Sequence, residues 1–487
     1  MAFLDILTIN GHTSLLRKLL GDADNVVITD PEEGNVLTYD EENEIWVNGT
    51  ATGITFDIVN ELPAQGESNK IYFVPKVDGG DNDNYKEYVW INDAFELLGG
   101  GEEEPSLTYG FFLTEAPDSV IDYADDCSHF DPIQIDTQTG AVISYGSWEN
   151  AFFWPKPCML KYDGTVDYYL DPSDYSKKAD GTPSDVSNES YGGNAMMEWP
   201  IIYVDIIRVG TDVYHIKIKN KPHEGFTCWS NINAAGEKVN FYTPIYNGSI
   251  DSNGRLRSLS GKTIASNIDM QESLDAAALN GSGWNIETFS DRSIINLLLM
   301  LVGKGLNTQA IFGAGFVTGG NADNMKLTGT LDDKGLFYGL TDESIPVKVF
   351  GMENYWGQQS RRIVGFVEND YTSYIKMTEG TEDGSTVVGY NTTGAGYLEF
   401  APAPRGSGYI TQMVVAHNAM VPSERIGGSS TTYYCDTVTA NSSGGGPYPA
   451  RLCGSSTNGQ AAGAFRVFLS TAPETKGWDT GAALSYR

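Results

Sequence analysis

Phe465-Arg466-Val467-Phe468-Leu469-Ser470, near the end of a 487-residue chain, alternates two kinds of side chain and reads as a strand with unlike faces. Successive residues of a strand point to opposite sides of a sheet, so Phe465, Val467 and Leu469 share an apolar face while Arg466, Phe468 and Ser470 share a mixed one. The first face can pack while the second meets whatever lies outside. Working outward, residues 410–415 and 482–486 are further strand candidates in a stretch, 406–487, that is otherwise dominated by Gly, Ser, Thr, Tyr and Asn. That composition signals either disorder or long ordered loops on a scaffold, and the interleaved Tyr433, Tyr434, Tyr448, Phe465, Phe468 and Trp478 favour order.

Upstream, short apolar or alternating runs at 158–162, 167–170, 201–209 and 213–218 are separated by polar loops, in a chain that contains 55 glycines. One strong helix is expected at 291–302, with Ser290 as its cap and Gly303 and Gly305 as its stop; being apolar nearly all round, it should be buried. The N-terminal part reads as strands at 26–29, 36–39, 44–47, 71–74, 88–91 and 95–98, with 71–74 and 88–91 forming a hairpin. Ahead of these strands, residues 13–21 carry the cap, apolar pairs and glycine stop of a two-turn helix, either folded onto its own domain or acting as a docking or trimerisation plug. Gly99-Gly100-Gly101-Glu102-Glu103-Glu104-Pro105 has the glycines and like charges of a linker. The expected fold is mainly β with α+β character: a β module at 1–98, a linker at 99–114, a scaffold at 115–405 and a loop-rich part of the same domain at 406–487.

The formal charge of −33 is unevenly distributed. Residues 1–105 carry 22 Asp plus Glu against 5 Lys plus Arg, whereas residues 402–487 carry Glu424, Asp436, Glu474 and Asp479 against Arg405, Arg425, Arg451, Arg466, Lys476 and Arg487. Basic runs no longer than pairs such as Lys177-Lys178 and Arg361-Arg362 argue against nucleic acid or an anionic membrane as partner. The apolar run 294–302 is too short to span a bilayer. Residues 1–10 lack the pattern of a secretory signal, so an extracellular destination is expected through release of assembled particles.

Five cysteines, Cys127, Cys158, Cys228, Cys435 and Cys453, are scattered and contain no C-x-x-C pair, which indicates reduced, buried thiols; if any two paired, Cys435 and Cys453 would be the candidates. The sequence contains no nucleophile elbow, zinc-protease helix or phosphate loop. His12, His129, His215, His223 and His417 are mutually remote, and carboxylate pairs such as Asp125 with Asp126 or Glu353 with Asp370 arise readily among 64 acidic residues. The loop from Asp81 has Lys86 and Asn92 where a calcium hand needs Gly and Glu, and so reads as a solvated turn. No catalytic residue, metal or cofactor is expected.

Several segments resemble phage and prophage structural proteins. They are Phe153-Trp154-Pro155-Lys156-Pro157-Cys158-Met159-Leu160, Asp163-Gly164-Thr165-Val166-Asp167-Tyr168-Tyr169-Leu170-Asp171-Pro172 and, most specifically, Lys348-Val349-Phe350-Gly351-Met352-Glu353-Asn354-Tyr355-Trp356-Gly357 followed by Arg361-Arg362-Ile363. The end of the chain is similar to the C-terminus of variable proteins served by diversity-generating retroelements, at Pro449-Ala450-Arg451-Leu452, Gly463-Ala464-Phe465 and Gly481-Ala482-Ala483-Leu484-Ser485-Tyr486-Arg487. The resemblance spans roughly residues 115–487 and implies a C-type-lectin-like domain. It departs from the family at Cys453 and Ser456, where members often carry Gly and an aromatic residue.

In that family, adenine-directed copying rewrites codons of the final segment, and an altered Asn codon yields residues such as Ser, Thr, Tyr, Asp or Gly but never Lys, Glu, Gln, Met or Trp. Ser455, Ser456, Thr457, Asn458, Arg466, Phe468, Ser470, Thr475 and Asp479 are of reachable type, whereas Gln460, Glu474, Lys476 and Trp478 are not. The resemblance therefore implies a non-catalytic virion receptor-binding protein, made in the host cytoplasm, that recognises a host-surface protein or glycan. Its ligand-binding surface would comprise those nine residues, with Tyr433, Tyr434 and Asp436 beside them. It also implies a homotrimer attached to other virion proteins through residues 1–98. A purely structural head or tail decoration fibre and a glycan-cleaving tail enzyme are the alternatives.

Overall fold

The computed structural model describes residues 26–27, 35–40, 45–50, 55–67, 70–75, 85–91, 94–97, 106–118, 121–376, 389–416 and 419–487. The expected helix at 13–21, the acidic loop before Tyr85 and the Gly-Glu segment at 99–105 lie outside the described residues. The chain is mainly β and divides into two compact units, Met1–Pro105 and Ser106–Arg487.

The first unit holds a three-stranded sheet in the order Val26–Val27, Ile45–Thr50, Asn35–Asp40 and a four-stranded sheet in the order Thr55–Ile58, Lys70–Pro75, Tyr85–Ile91, Ala94–Leu97. Lys70–Pro75 and Tyr85–Ile91 pair antiparallel, with Ile71 opposite Val89, as the alternation there indicates. Tyr72, only 2% exposed, meets Phe95 edge to face at 5.1 Å and anchors this small sheet.

The second unit begins earlier than the sequence suggests. Thr108–Thr114 is an inner strand between Val213–Lys219 and Ile121–Asp125, so it belongs to the domain and not to a linker reaching residue 114. Its pattern Tyr109, Phe111, Leu113 on one face explains why: all three side chains enter the core. A seven-stranded sheet runs Asp174–Lys178, Val166–Asp171, Lys156–Lys161, Gly193–Pro200, Asn240–Pro244, Leu484–Tyr486, Trp284–Ile286. A larger sheet follows the path Leu398–Pro402, Thr372–Ile375, Ser360–Asn369, Tyr448–Leu452, Val467–Leu469, Thr437–Ala440, Gly408–Tyr409, with Thr480–Gly481 added parallel to Ser360–Asn369. The last eight residues thus join both sheets, through Gly481 to one and Leu484–Tyr486 to the other.

The helix Phe289–Gly303 is buried, as its apolar sequence requires, but its ends differ from the expectation. Thr288, not Ser290, is the cap, its hydroxyl accepting the Asp291 N–H at 3.3 Å, and the left-handed residue that ends the helix is Lys304 at φ 51°. Among the described residues, two further α-helices accompany it. Met270–Ala278 opens with a capping box in which Asp269 and Glu272 each accept the other's backbone N–H, and Thr308–Phe312 is a single turn. All five cysteines are unpaired and buried, Cys435 and Cys453 included. Burial raises the thiol pKa of Cys127 and Cys453 to about 11 and of Cys228 and Cys435 to about 12. Among the described residues, no helix is long and apolar enough to cross a membrane.

Candidate functional site

The strand Val467–Leu469 lies between Tyr448–Leu452 and Thr437–Ala440, and its register decides which side chains share its mixed face. Phe468 stands opposite Arg451 on one neighbour and Thr439 on the other, and Arg451 stands opposite Arg362 on Ser360–Asn369. Directly opposed residues project to the same side, so Arg362, Arg451, Phe468 and Thr439 form one row across four strands. Arg466, two residues before Phe468, adds a third guanidinium to this face.

The arginines are held by neutral partners. The guanidinium carbons of Arg466 and Arg451 lie 4.2 and 5.0 Å from the centre of the Phe468 ring, so two cations share one aromatic ring. Arg451 donates to the hydroxyls of Thr480 at 2.8 Å and Thr471 at 2.6 Å. Arg466 donates to the Ala461 carbonyl at 3.1 Å, which the Thr437 hydroxyl also reaches at 3.3 Å. Arg362 donates to the carbonyls of Ile268 at 3.0 Å and Thr475 at 2.5 Å. In each of the three, the Nε–H is buried without a partner. Burial lowers the pKa of Arg362 and Arg466 to about 10, with Arg451 pushing both further down; Arg451 is lowered by burial too.

The twelve residues singled out in the sequence divide into two groups. Tyr433, Thr457, Asn458, Phe468, Ser470, Thr475 and Asp479 are exposed or half-buried, whereas Tyr434, Asp436, Ser455, Ser456 and Arg466 are buried. Four of the buried ones, Tyr434, Asp436, Ser455 and Ser456, are engaged inside the protein. The Tyr434 hydroxyl donates to Glu115 at 2.6 Å, and the same carboxylate oxygen accepts the Met413 N–H at 2.7 Å. Asp436 accepts the Phe465 N–H at 2.8 Å and lies beneath the turn at Gly463, whose φ of 148° leaves a position where an added Cβ would fall 2.2 Å from that carboxylate. Ser455 is closed into a turn by Asn458, whose side-chain oxygen accepts its N–H at 2.7 Å, and Ser456 packs on Met325 and Gly320. Their residue types suit a binding loop, but here they brace the turns in which they sit.

Arg466 differs from those four, because its buried guanidinium belongs to the row that Phe468 bridges. Arg362 and Arg451 complete that row and were not among the expected site residues. Strand alternation offered the signal: Arg361 and Arg362 are neighbours in sequence and must point to opposite faces of Ser360–Asn369.

Two clefts lie elsewhere. One of about 630 Å³ is bordered by Tyr162, Tyr242 and Tyr486, and the other, of about 590 Å³, by Trp154, Pro157 and Tyr169. Neither is lined by any of the twelve residues. Of the carboxylate pairs that could suggest glycan cleavage, Glu353 is sealed at 2% exposure, accepting from the N–H groups of Gly329 and Thr330. Burial raises its pKa to about 7. Among the described residues, no group of three or more His, Cys, Asp or Glu side chains is placed to hold a metal ion.

No family model matches the sequence, and no curated protein matches it. Among solved structures the chain is similar to the Major Tropism Determinant P3c variant, at 10% identity over 94% of this chain and 96% of that chain, with a TM-score of 0.26.

Proposed function

We propose that this chain is a non-catalytic receptor-binding protein of a bacteriophage particle, which recognises a host-surface ligand through the mixed face of its C-terminal sheet. The observation that carries the reading is the row Arg362, Arg451, Phe468 with Arg466: cations and an aromatic ring gathered on one face with unused donors. Binding hot spots favour arginine and large aromatic residues, and surrounding hydroxyls such as Ser470 and Thr471 offer adaptable hydrogen bonding. The likeness of the chain's end to diversified variable proteins supports the same location. Thr457, Asn458, Thr475 and Asp479 form the rim in this reading, and Tyr433 lies in a neighbouring loop. The N-terminal unit docks to other virion proteins, and three copies assemble.

The test is competition. Purified full-length chain should block adsorption of particles to the cells they infect, and its mass in solution should be that of a trimer. A structural decoration fibre predicts no competition. Release of reducing sugar from host envelope by the purified chain would instead support the cleaving alternative.

A further inference from the structure

Resting on that reading, we propose that the arginine row is a site for an acidic polysaccharide, whose anionic groups lie along Arg451 and Arg466, with Arg362 behind them strengthening the field. The argument starts from a cost. Arg362 and Arg451 are opposed across adjacent strands, about 5 Å apart in the pairing direction, and like charges so placed destabilise a sheet. Arg362 and Arg466 are 3% and 6% exposed, so water screens little of this repulsion. Buried guanidiniums usually meet a carboxylate, yet the hydrogen-bond partners of these three are hydroxyls and backbone carbonyls. The nearby carboxylates, Asp269, Asp479 and Glu272 for Arg362, Asp479 for Arg451 and Asp436 for Arg466, act on them only through space, with no hydrogen bond to any of the three guanidiniums. An anion delivered from outside supplies the missing countercharge.

The shape of the row selects among anions. Cations spaced from strand to strand around one aromatic ring match a linear polymer with repeated charges better than a single small ion. A protein partner fits less well: arginine is common at protein interfaces, but their fully buried core is mostly apolar, and this face offers the half-buried Phe468 and Tyr409 among arginines and threonines. The hydroxyls of Thr437, Thr439, Ser470, Thr471 and Thr480 flank the guanidiniums and suit the alternating donors and acceptors of a saccharide. Guanidinium pairs with a planar carboxylate through two parallel hydrogen bonds, which makes a uronic-acid polymer the fitting probe.

The experiment titrates full-length protein with polygalacturonate, with neutral dextran of equal length and with polyglutamate, at low and physiological salt. The expected result is binding of polygalacturonate that weakens as salt rises, with dextran inert and polyglutamate weaker. Arg451→Gln and Arg466→Gln should each weaken binding at least tenfold, while Arg451→Lys keeps part of it. Melting curves accompany every variant. Should either glutamine variant not fold, Ser470→Glu, which leaves the three guanidiniums in place and adds a carboxylate at the half-exposed rim, must also weaken binding. Absence of polygalacturonate binding, binding indifferent to these substitutions, or tighter binding of polyglutamate overturns the proposal. If in any of those cases the chain still competes with particles for cells, only the acidic-saccharide inference falls and the receptor-binding reading stands.

Discussion

Arg361 and Arg362 are consecutive residues of one strand, yet they occupy opposite electrostatic worlds. On the inner face, Arg361 and Arg292 share Glu287, at 3.1 and 2.8 Å, and Arg292 lies 4.0 Å from the centre of the Tyr355 ring. Arg361 also donates to Asn247 and to the carbonyls of Glu353 and Asn354. On the outer face, Arg362 faces another arginine. Buried ion pairs with satisfied hydrogen bonds hold a structure in register, and breaking one is expensive because the remaining charge is stranded. Buried cations without a carboxylate do not stabilise a fold, which is why the outer row is read as a binding surface.

The largest effect should come from Glu287. Glu287→Gln leaves Arg292 and Arg361 without a countercharge and should cost about 3–5 kcal/mol of folding stability, read as a loss of melting temperature or failure to fold. The same substitution sharpens the comparison through pH. Burial raises the Glu287 pKa but Arg292 and Arg361 lower it further, so the net shift is downward from its ordinary 4.5. A carboxyl depressed in the folded state contributes stability that is present above its unfolded value and lost as pH falls through its folded one. The gap in stability between parent and Glu287→Gln should therefore be full at neutral pH and close as pH drops below 4.5.

Next comes the neighbouring pair. Arg361→Gln should destabilise by about 3 kcal/mol or more, since it strands part of the Glu287 charge. Arg362→Gln should change stability by only about 1 kcal/mol, because two hydrogen bonds to carbonyls are lost while repulsion with Arg451 is relieved. Equal losses for the two would erase the distinction between the faces.

The smallest effect concerns Cys453, which belongs to the inner face. Its Sγ lies 3.5 Å from an Arg292 nitrogen, but burial outweighs that cation and keeps its pKa near 11. The thiol should resist iodoacetamide in the native protein at neutral pH and react once the chain is unfolded. Native labelling at Cys453, measured by mass spectrometry, would show that the inner face opens.

The sequence made some of this legible and hid the rest for physical reasons. The helix Phe289–Gly303 was readable because a run such as Ile294-Ile295 and Leu297 to Val302 has nowhere to go but the interior. Met270–Ala278 was missed although Asp269 and Glu272 spell its capping box, since its apolar content is low. Strand alternation placed Phe468 and Ser470 on the half-exposed side, but alternation is local. It cannot reveal that Arg451 lies beside Phe468, because that pairing joins strands whose register is set by the whole sheet. Residue type alone does not show that Tyr434, Asp436, Ser455 and Ser456 are buried, with polar groups satisfied inside by Glu115, Phe465, Asn458 and Gln358.

The claim that the outer face of the C-terminal sheet binds the ligand is tested most directly by adsorption of purified variants to cells that bind the parent chain. Arg466→Ala and Phe468→Ala should each weaken adsorption by about 1–3 kcal/mol, roughly 5- to 150-fold, in protein that melts cooperatively. Parental adsorption by both variants, each shown to be folded, would place the binding surface elsewhere and contradict the account.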